Sequence, residues 1–383
     1  MHFPQPPGRV STSPESLRAA FRATEPFSVG LEDEVMLLDP ETLDLVARAP
    51  HLLERLGEDG RFKLELPGSQ LEIITSPTPD VADAQVQLLG GRERLAARAE
   101  GLVRLACSGV PPHSSGVGEL NQLPRYAPTI EEYGPIAKRQ LVCALQVHVA
   151  VGNAELAISV YNAVRAWLPE LAALAANAPF YEGRDTGFAS IRPKLAELLP
   201  RQGVPPPLAS WDDYAAALRW GEAAGVFEQR TWWWELRLHP SFGTLEFRVP
   251  DAQTTVADAV AVAAVAQALV AWLAQRHEGG EPPSVVPSWQ IEENRWSAAR
   301  YGVLGLMANF EDGKRSPTRE RLLKLLEDLE PVGRRLGSDA ALAHARELVE
   351  VNGALAQRRV SESEGIKRVA YWLSERFLAP PDG

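Results

Sequence analysis

Residues 28–39 read SVGLEDEVMLLD, an apolar run broken at its centre by Glu32, Asp33 and Glu34. In an extended strand residues i and i+2 share a face, so Glu32 and Glu34 project one way while Leu31, Asp33 and Val35 project the other. Two carboxylates about 5 Å apart at an effective dielectric near 20 repel by roughly 3 kcal/mol, so a buried Glu-x-Glu needs a cation, a proton or water between its arms. Taken alone, the pattern also fits a solvated outer sheet face. The rest of the chain decides between the two.

The same device recurs. Glu65 in FKLELPG and Glu72 in SQLEIIT flank a Pro67-Gly68 turn and can project to one side of a hairpin-like unit. In ALQVHVAV, Gln146 and His148 share a face opposite Leu145, Val147 and Val149. In WWELRLH, Glu235, Arg237 and His239 oppose Trp234, Leu236 and Leu238, and in GTLEFRV, Glu246 and Arg248 oppose Leu245, Phe247 and Val249. Each strand thus offers one apolar face to a core and one face of metal- or phosphate-binding groups. Such a carboxylate-rich, sulfur-poor set suits Mg²⁺ or Mn²⁺, and arginines complement phosphate oxygens.

The totals agree with a small-molecule enzyme. The chain has 383 residues, 45% hydrophobic content and a formal net charge of −11, which supports a sizeable core and argues against nucleic acid or an anionic membrane as partner. Its two cysteines, Cys107 and Cys143, form no disulfide framework and suit a reducing, cytoplasmic setting. The N-terminus lacks a basic segment followed by an apolar one. The Ala-rich run VADAVAVAAVAQALVAWLAQ reads as a buried helix rather than a membrane span.

Helical patterns at roughly 80–106, 154–176 and 252–276 interrupt the strands without regular βαβ alternation, which predicts an α+β fold with a largely antiparallel sheet. Residues 1–24 read as a flexible lead, 25–316 as the sheet domain, and 317–383 as a helical C-terminal region packed on it.

The stretches GLEDEVMLLDP, ELPGSQLEI, ANAPFYEGRDTGFASIRP, WWWELRLHPSFGTLEFRVPDAQTT and NRWSAARYG, in this order, resemble the carboxylate-amine ligases of the type 2 glutamate-cysteine ligase family from about residue 25 onward. The resemblance implies a glutamine synthetase-like fold, a curved antiparallel sheet holding ATP and divalent cations, and formation of an amide through an acyl phosphate. It implies Glu32, Glu34, Glu65, Glu72 and Glu246 as metal ligands, Arg248 as a phosphate contact and Arg192 as a substrate or nucleotide contact; on the strand reading Arg237 complements phosphate with Arg248 in the catalytic set, and His148 joins them as a phosphate contact or a replacement metal ligand. It also implies small-molecule partners and a homo-oligomer.

Three positions depart from the family pattern. Asp33 stands where many relatives have Glu, Val35 replaces a usual Phe, and Gln146 stands where a metal-binding His is usual. A carboxamide oxygen can ligate Mg²⁺, so Gln146 is an expected ligand, and a similar Gln in plant-type enzymes favours glutamate-cysteine ligation. The alternatives are a ligase for another carboxylate or amine, a nucleotide-binding relative without turnover, and phosphoryl transfer to a guanidino group.

Overall fold

The computed structural model describes residues 11–225, 232–281 and 284–380. Its main sheet has seven strands: β1 (Val29–Leu38), β2 (Phe62–Leu64), β3 (Gln70–Ile74), β4 (Arg104–Ala106), β5 (Leu145–Ala150), β8 (Leu236–His239) and β9 (Thr244–Phe247). Between β5 and β8, a separate hairpin is made by β6 (Phe180–Tyr181) and β7 (Arg184–Asp185). The order in the main sheet is β2-β3-β1-β5-β9-β8, every pairing is antiparallel, and β4 pairs with the far end of β1. The α+β class with a mainly antiparallel sheet and flanking helices is the one observed.

The strand β1 is central because its alternation lets it serve two environments at once. Leu31 and Val35 are fully buried with Leu71, Leu145, Val147, Leu245 and Phe247 in a single apolar core. Against this face pack the helices Val81–Ala99 and Val256–Glu278. The second begins at Thr255, whose side chain caps the Asp258 amide while Asp258 answers the Thr255 amide. It is the one helix among the described residues long and apolar enough to cross a membrane, and 83% of its most apolar window is enclosed by protein. Cys107 and Cys143 are buried free thiols, and burial pushes both thiols up.

The core also explains Asp33, which shares the apolar face. Its carboxylate is matched by Arg92 from the helix Val81–Ala99, with Nε 2.9 Å from Oδ2, and both side chains are fully buried. Arg92 spends its remaining donors on the carbonyls of Gln253, Thr254 and Phe377, tying the sheet to two distant segments.

Two expectations change. The supposed flexible lead contains a helix, Pro14–Arg22, capped by Ser13, with Leu17 and Phe21 fully buried. The helix holds because Phe21 packs on Trp211 at 5.0 Å and because Gly243 leaves room for it: a Cβ there would come within 2.2 Å of the Ala20 carbonyl. The C-terminal region, in which the sequence shows three amphipathic patterns (TRERLLKLLEDLEPVGRRLG, DAALAHARELVEVNGALAQRR and SESEGIKRVAYWLSERFL), forms four helices, Thr318–Arg335, Asp339–Glu350, Gly353–Glu364 and Ile366–Glu375. Asn352, capping the third of these, is the reason for the extra break.

Candidate active site

Register assembles the polar face. Lys63, Glu72 and Glu34 lie opposite one another across β2, β3 and β1. Glu32 lies opposite Gln146, and His148, Glu246 and Arg237 form a further row across β5, β9 and β8. Residues as far apart in sequence as Glu32 and Glu246 therefore meet on one surface because each strand keeps its period of two.

At the centre, Glu32, His148 and Glu246 offer ligand atoms within 4.8 Å of one another. The imidazole is fixed by a 2.9 Å contact between Nδ1 and Thr244 Oγ1, which turns Nε2 to within 3.4 Å of Glu32 Oε1. Nε2 is buried and makes no hydrogen bond. An oriented, orphaned imidazole nitrogen between the half-buried Glu32 and the fully buried Glu246 fits a divalent cation, and the oxygen-dominated donor set suits Mg²⁺ or Mn²⁺.

The charges around this centre are strongly perturbed. Burial pushes the Glu32 carboxyl up, but neighbouring His148 outweighs it and brings it down to about 2. Burial likewise raises Glu246, yet Arg237 and Arg248 hold it well below the usual range. On the far side the balance reverses: burial, then the charges of Glu34 and Glu32, push Glu65 up to about 8, and burial with Glu32 and Glu65 raises Glu72. Burial also raises Glu34. The shifts of these three carboxyls all run toward the neutral form.

A hydrogen-bonded chain links the two sides. Arg237 and Arg248 both donate to Glu246. Arg248 also donates to the Gln146 carboxamide oxygen, whose amide donates to Glu34 at 2.9 Å, and the Ala144 amide donates to the other Glu34 oxygen at 2.7 Å. Gln146, expected as a ligand, forms a bridge in this structure, with its oxygen accepting from Arg248 and its amide donating to Glu34. Arg192 is likewise turned inward, its Nε 2.7 Å from Asp251 and its Nη2 on the Arg248 and Val249 carbonyls, so it braces the main chain behind Arg248.

Two cavities of about 410 Å³ each meet at this surface. One is lined by Glu34, Glu65, Glu72, Gln146, Arg192, Arg237 and Arg248. The other is less charged, with Ser28, Gly30, Ile74, Pro77, Thr78, Pro79 and His148 on its walls. Glu32, Lys63 and Phe242 border both.

Several lining residues carry no role in the sequence reading. Lys63 was legible, since the alternation that selects Glu65 puts Lys63 on the same face. Arg125 and Tyr126, both on the Leu64 carbonyl, and Arg295, which pairs with the Glu235 that alternation had placed on this face, come from a loop and a helix with no local signal.

An antiparallel sheet that gathers glutamates, arginines and one oriented histidine around paired cavities offers donors for a divalent cation and for anionic small molecules. The sequence profile of glutamate-cysteine ligase family 2 matches residues 28–371, and the chain belongs to that family. Membership places it among the ATP-dependent carbon–nitrogen ligases. It is 36% identical over 367 residues to "Putative glutamate--cysteine ligase 2-3" of Rubrobacter xylanophilus, spanning 94% of this chain and 99% of that one. It is 32% identical over 373 residues to "Putative glutamate--cysteine ligase 2" of Thermobifida fusca, spanning 94% and 93%. In fold it is similar to the glutamate–cysteine ligase of Francisella tularensis solved in complex with AMP, with TM-score 0.66, 11% identity, and coverage of 92% of this chain and 89% of that one. It is also similar to a bifunctional glutathione synthetase from Pasteurella multocida, with TM-score 0.65, 14% identity, and coverage of 95% and 53%.

Proposed function

We propose that the chain joins the γ-carboxylate of glutamate to the amine of cysteine at the expense of ATP, through an acyl phosphate. The observation that carries this reading is the Glu32–His148–Glu246 cluster at the boundary of two cavities, one rich in arginine and carboxylate and the other less charged. The first suits an amino acid and its phosphorylated carboxylate, and the second a nucleotide base.

In the first step a carboxylate oxygen attacks the γ-phosphorus, the bond to the β-phosphate oxygen breaks, and ADP departs. In the second the amine attacks the acyl carbon, inorganic phosphate leaves, and the amine proton passes to solvent. Glu32, His148 and Glu246 would hold one divalent cation, with Glu34, Glu65 and Glu72 as donors for another; when bound, it neutralises phosphate charge. Arg248, fixed between Glu246 and Gln146, presents its guanidinium to the transferring phosphoryl group. Gln146 keeps Glu34 and Arg248 apart yet aligned, and Arg237 keeps Glu246 ionised.

The test is phosphate release from Mg·ATP with glutamate, screened across amino acids and amines, with the product mass measured. A γ-glutamylcysteine mass with stoichiometric phosphate is expected. Glu246→Gln, checked by circular dichroism to be folded, should lose about 10³-fold in kcat, since it removes a cation donor and leaves two arginines without their partner. Wild-type turnover in that variant would remove the cluster from the mechanism.

A further inference from the structure

The charged cavity is lined by six cations, and five are committed. Arg192 is paired with Asp251, Arg237 and Arg248 with Glu246, and Arg295 with Glu235. Arg125 donates to the Leu64 carbonyl and the Tyr126 hydroxyl. Lys63 is the exception: it makes no hydrogen bond and no ion pair among the described residues. It is half-buried, and it is the single lysine or arginine on the wall of the less charged cavity as well.

Its position follows from register. Lys63 lies opposite Glu72, which lies opposite Glu34, so β2 delivers its side chain onto the acid face at the border the two cavities share with Glu32. Lys63 feels the charges of Glu32 and Glu72 but makes no hydrogen bond to either, so its ammonium donors are available to an anion that arrives from outside. At that border the arriving anion is the group that crosses from one cavity to the other.

We propose that Lys63 is a catalytic residue that contacts the terminal phosphoryl group as it passes from nucleotide to carboxylate. The assignment rests on the ligase reading above. The lysine ammonium supplies three donors to the phosphoryl oxygens while the bond to the β-phosphate oxygen breaks and the bond to the carboxylate oxygen forms, and it neither gains nor loses a proton in the step. ADP lacks the contact, so Lys63 distinguishes tri- from diphosphate.

The experiment measures Mg²⁺-dependent binding of ADP and of β,γ-imido-ATP by calorimetry in wild type, Lys63→Met and Lys63→Arg. In Lys63→Met, ADP affinity stays within about twofold while the triphosphate analogue loses about ten- to a hundredfold, the worth of one charge-assisted contact. Turnover falls by about 10²-fold or more, and Lys63→Arg recovers part of both. Should Lys63→Met fail to fold, Lys63→Gln takes its place. An unchanged ratio of triphosphate to diphosphate affinity, whatever happens to turnover or melting temperature, overturns the assignment and leaves Lys63 as a counter-charge for Glu72. If wild type binds neither nucleotide, the ligase reading falls and this one with it.

Discussion

On the core side of β1, Asp33 meets one arginine that satisfies it fully; on the other side, Glu32 and Glu34 join Glu65 and Glu72 around cavities where carboxylates crowd one another. Burial raises the carboxyl of Asp33 as it does that of Glu34, so desolvation does not separate the two environments. The match does. Arg92 cancels the charge of Asp33 and carries three carbonyls besides, which makes the pair a fixed joint. The acid face is left short of positive charge, a deficit that the proposed cation and phosphorylated substrate would complete. One strand thus holds a structural ion pair and a functional deficit, separated by the thickness of the sheet.

The sharpest way to break the contrast is to remove one partner on the core side. Arg92→Met leaves Asp33 buried and uncompensated and should cost about 3–5 kcal/mol in urea unfolding. Adding Asp33→Leu should recover only part, because the carbonyls of Gln253, Thr254 and Phe377 still lack their donor. Full recovery in the double variant would mean that Arg92 serves Asp33 alone.

On the acid face the same kind of removal should stabilise. Glu65 and Glu72 have folded-state values above their unfolded ones, Glu65 at about 8. The native state then binds more protons than the unfolded state, so cation-free stability falls as pH rises from about 4.5 to about 8. Glu72→Gln should flatten that fall and melt higher than wild type at pH 9 in the presence of a chelator. It should also gain less from added Mg²⁺, which under the proposed function would stabilise wild type by binding the native state. Thermal unfolding with and without Mg²⁺ reads both, and a variant that melts lower in chelator would place Glu72 with Asp33 as a structural acid.

Much of the acid face was legible because alternation is a strong signal: Glu32, Glu34, Glu72, Gln146, His148, Arg237, Glu246 and Arg248 all follow from period two. What period two omits is the partner. Arg92 lies 59 residues from Asp33 in a helix whose pattern says only that it is buried. Gln146 follows from alternation and Arg192 from the family resemblance alone, and the direction of their polar atoms depends on Arg248 and Asp251, which reach them only through the tertiary fold. The helix Pro14–Arg22 was missed for a similar reason. Leu17 and Phe21 make one apolar pair, too little periodicity to outweigh a Pro- and Ser-rich lead, and their burial depends on Trp211 far along the chain.

A third kind of charge pair sharpens the comparison from the surface side, with the smallest effect. His344 lies between Asp258 at 2.8 Å and Glu347 at 2.7 Å on a partly exposed flank. The hydrogen bond to Asp258 raises the imidazole, burial opposes it, and Glu347 adds to the rise. A raised value means that the stabilisation is fully present below the unfolded value near 6.5 and is lost as pH climbs through the folded one. Solvent screening limits it to below about 1 kcal/mol. His344→Gln should therefore unfold slightly earlier than wild type at pH 6, with the two curves converging at pH 9. A gap that instead widens with pH would show that Asp258 depends on a neutral partner to keep its cap on the helix Val256–Glu278, and would move this pair from the surface class to that of Asp33 and Arg92.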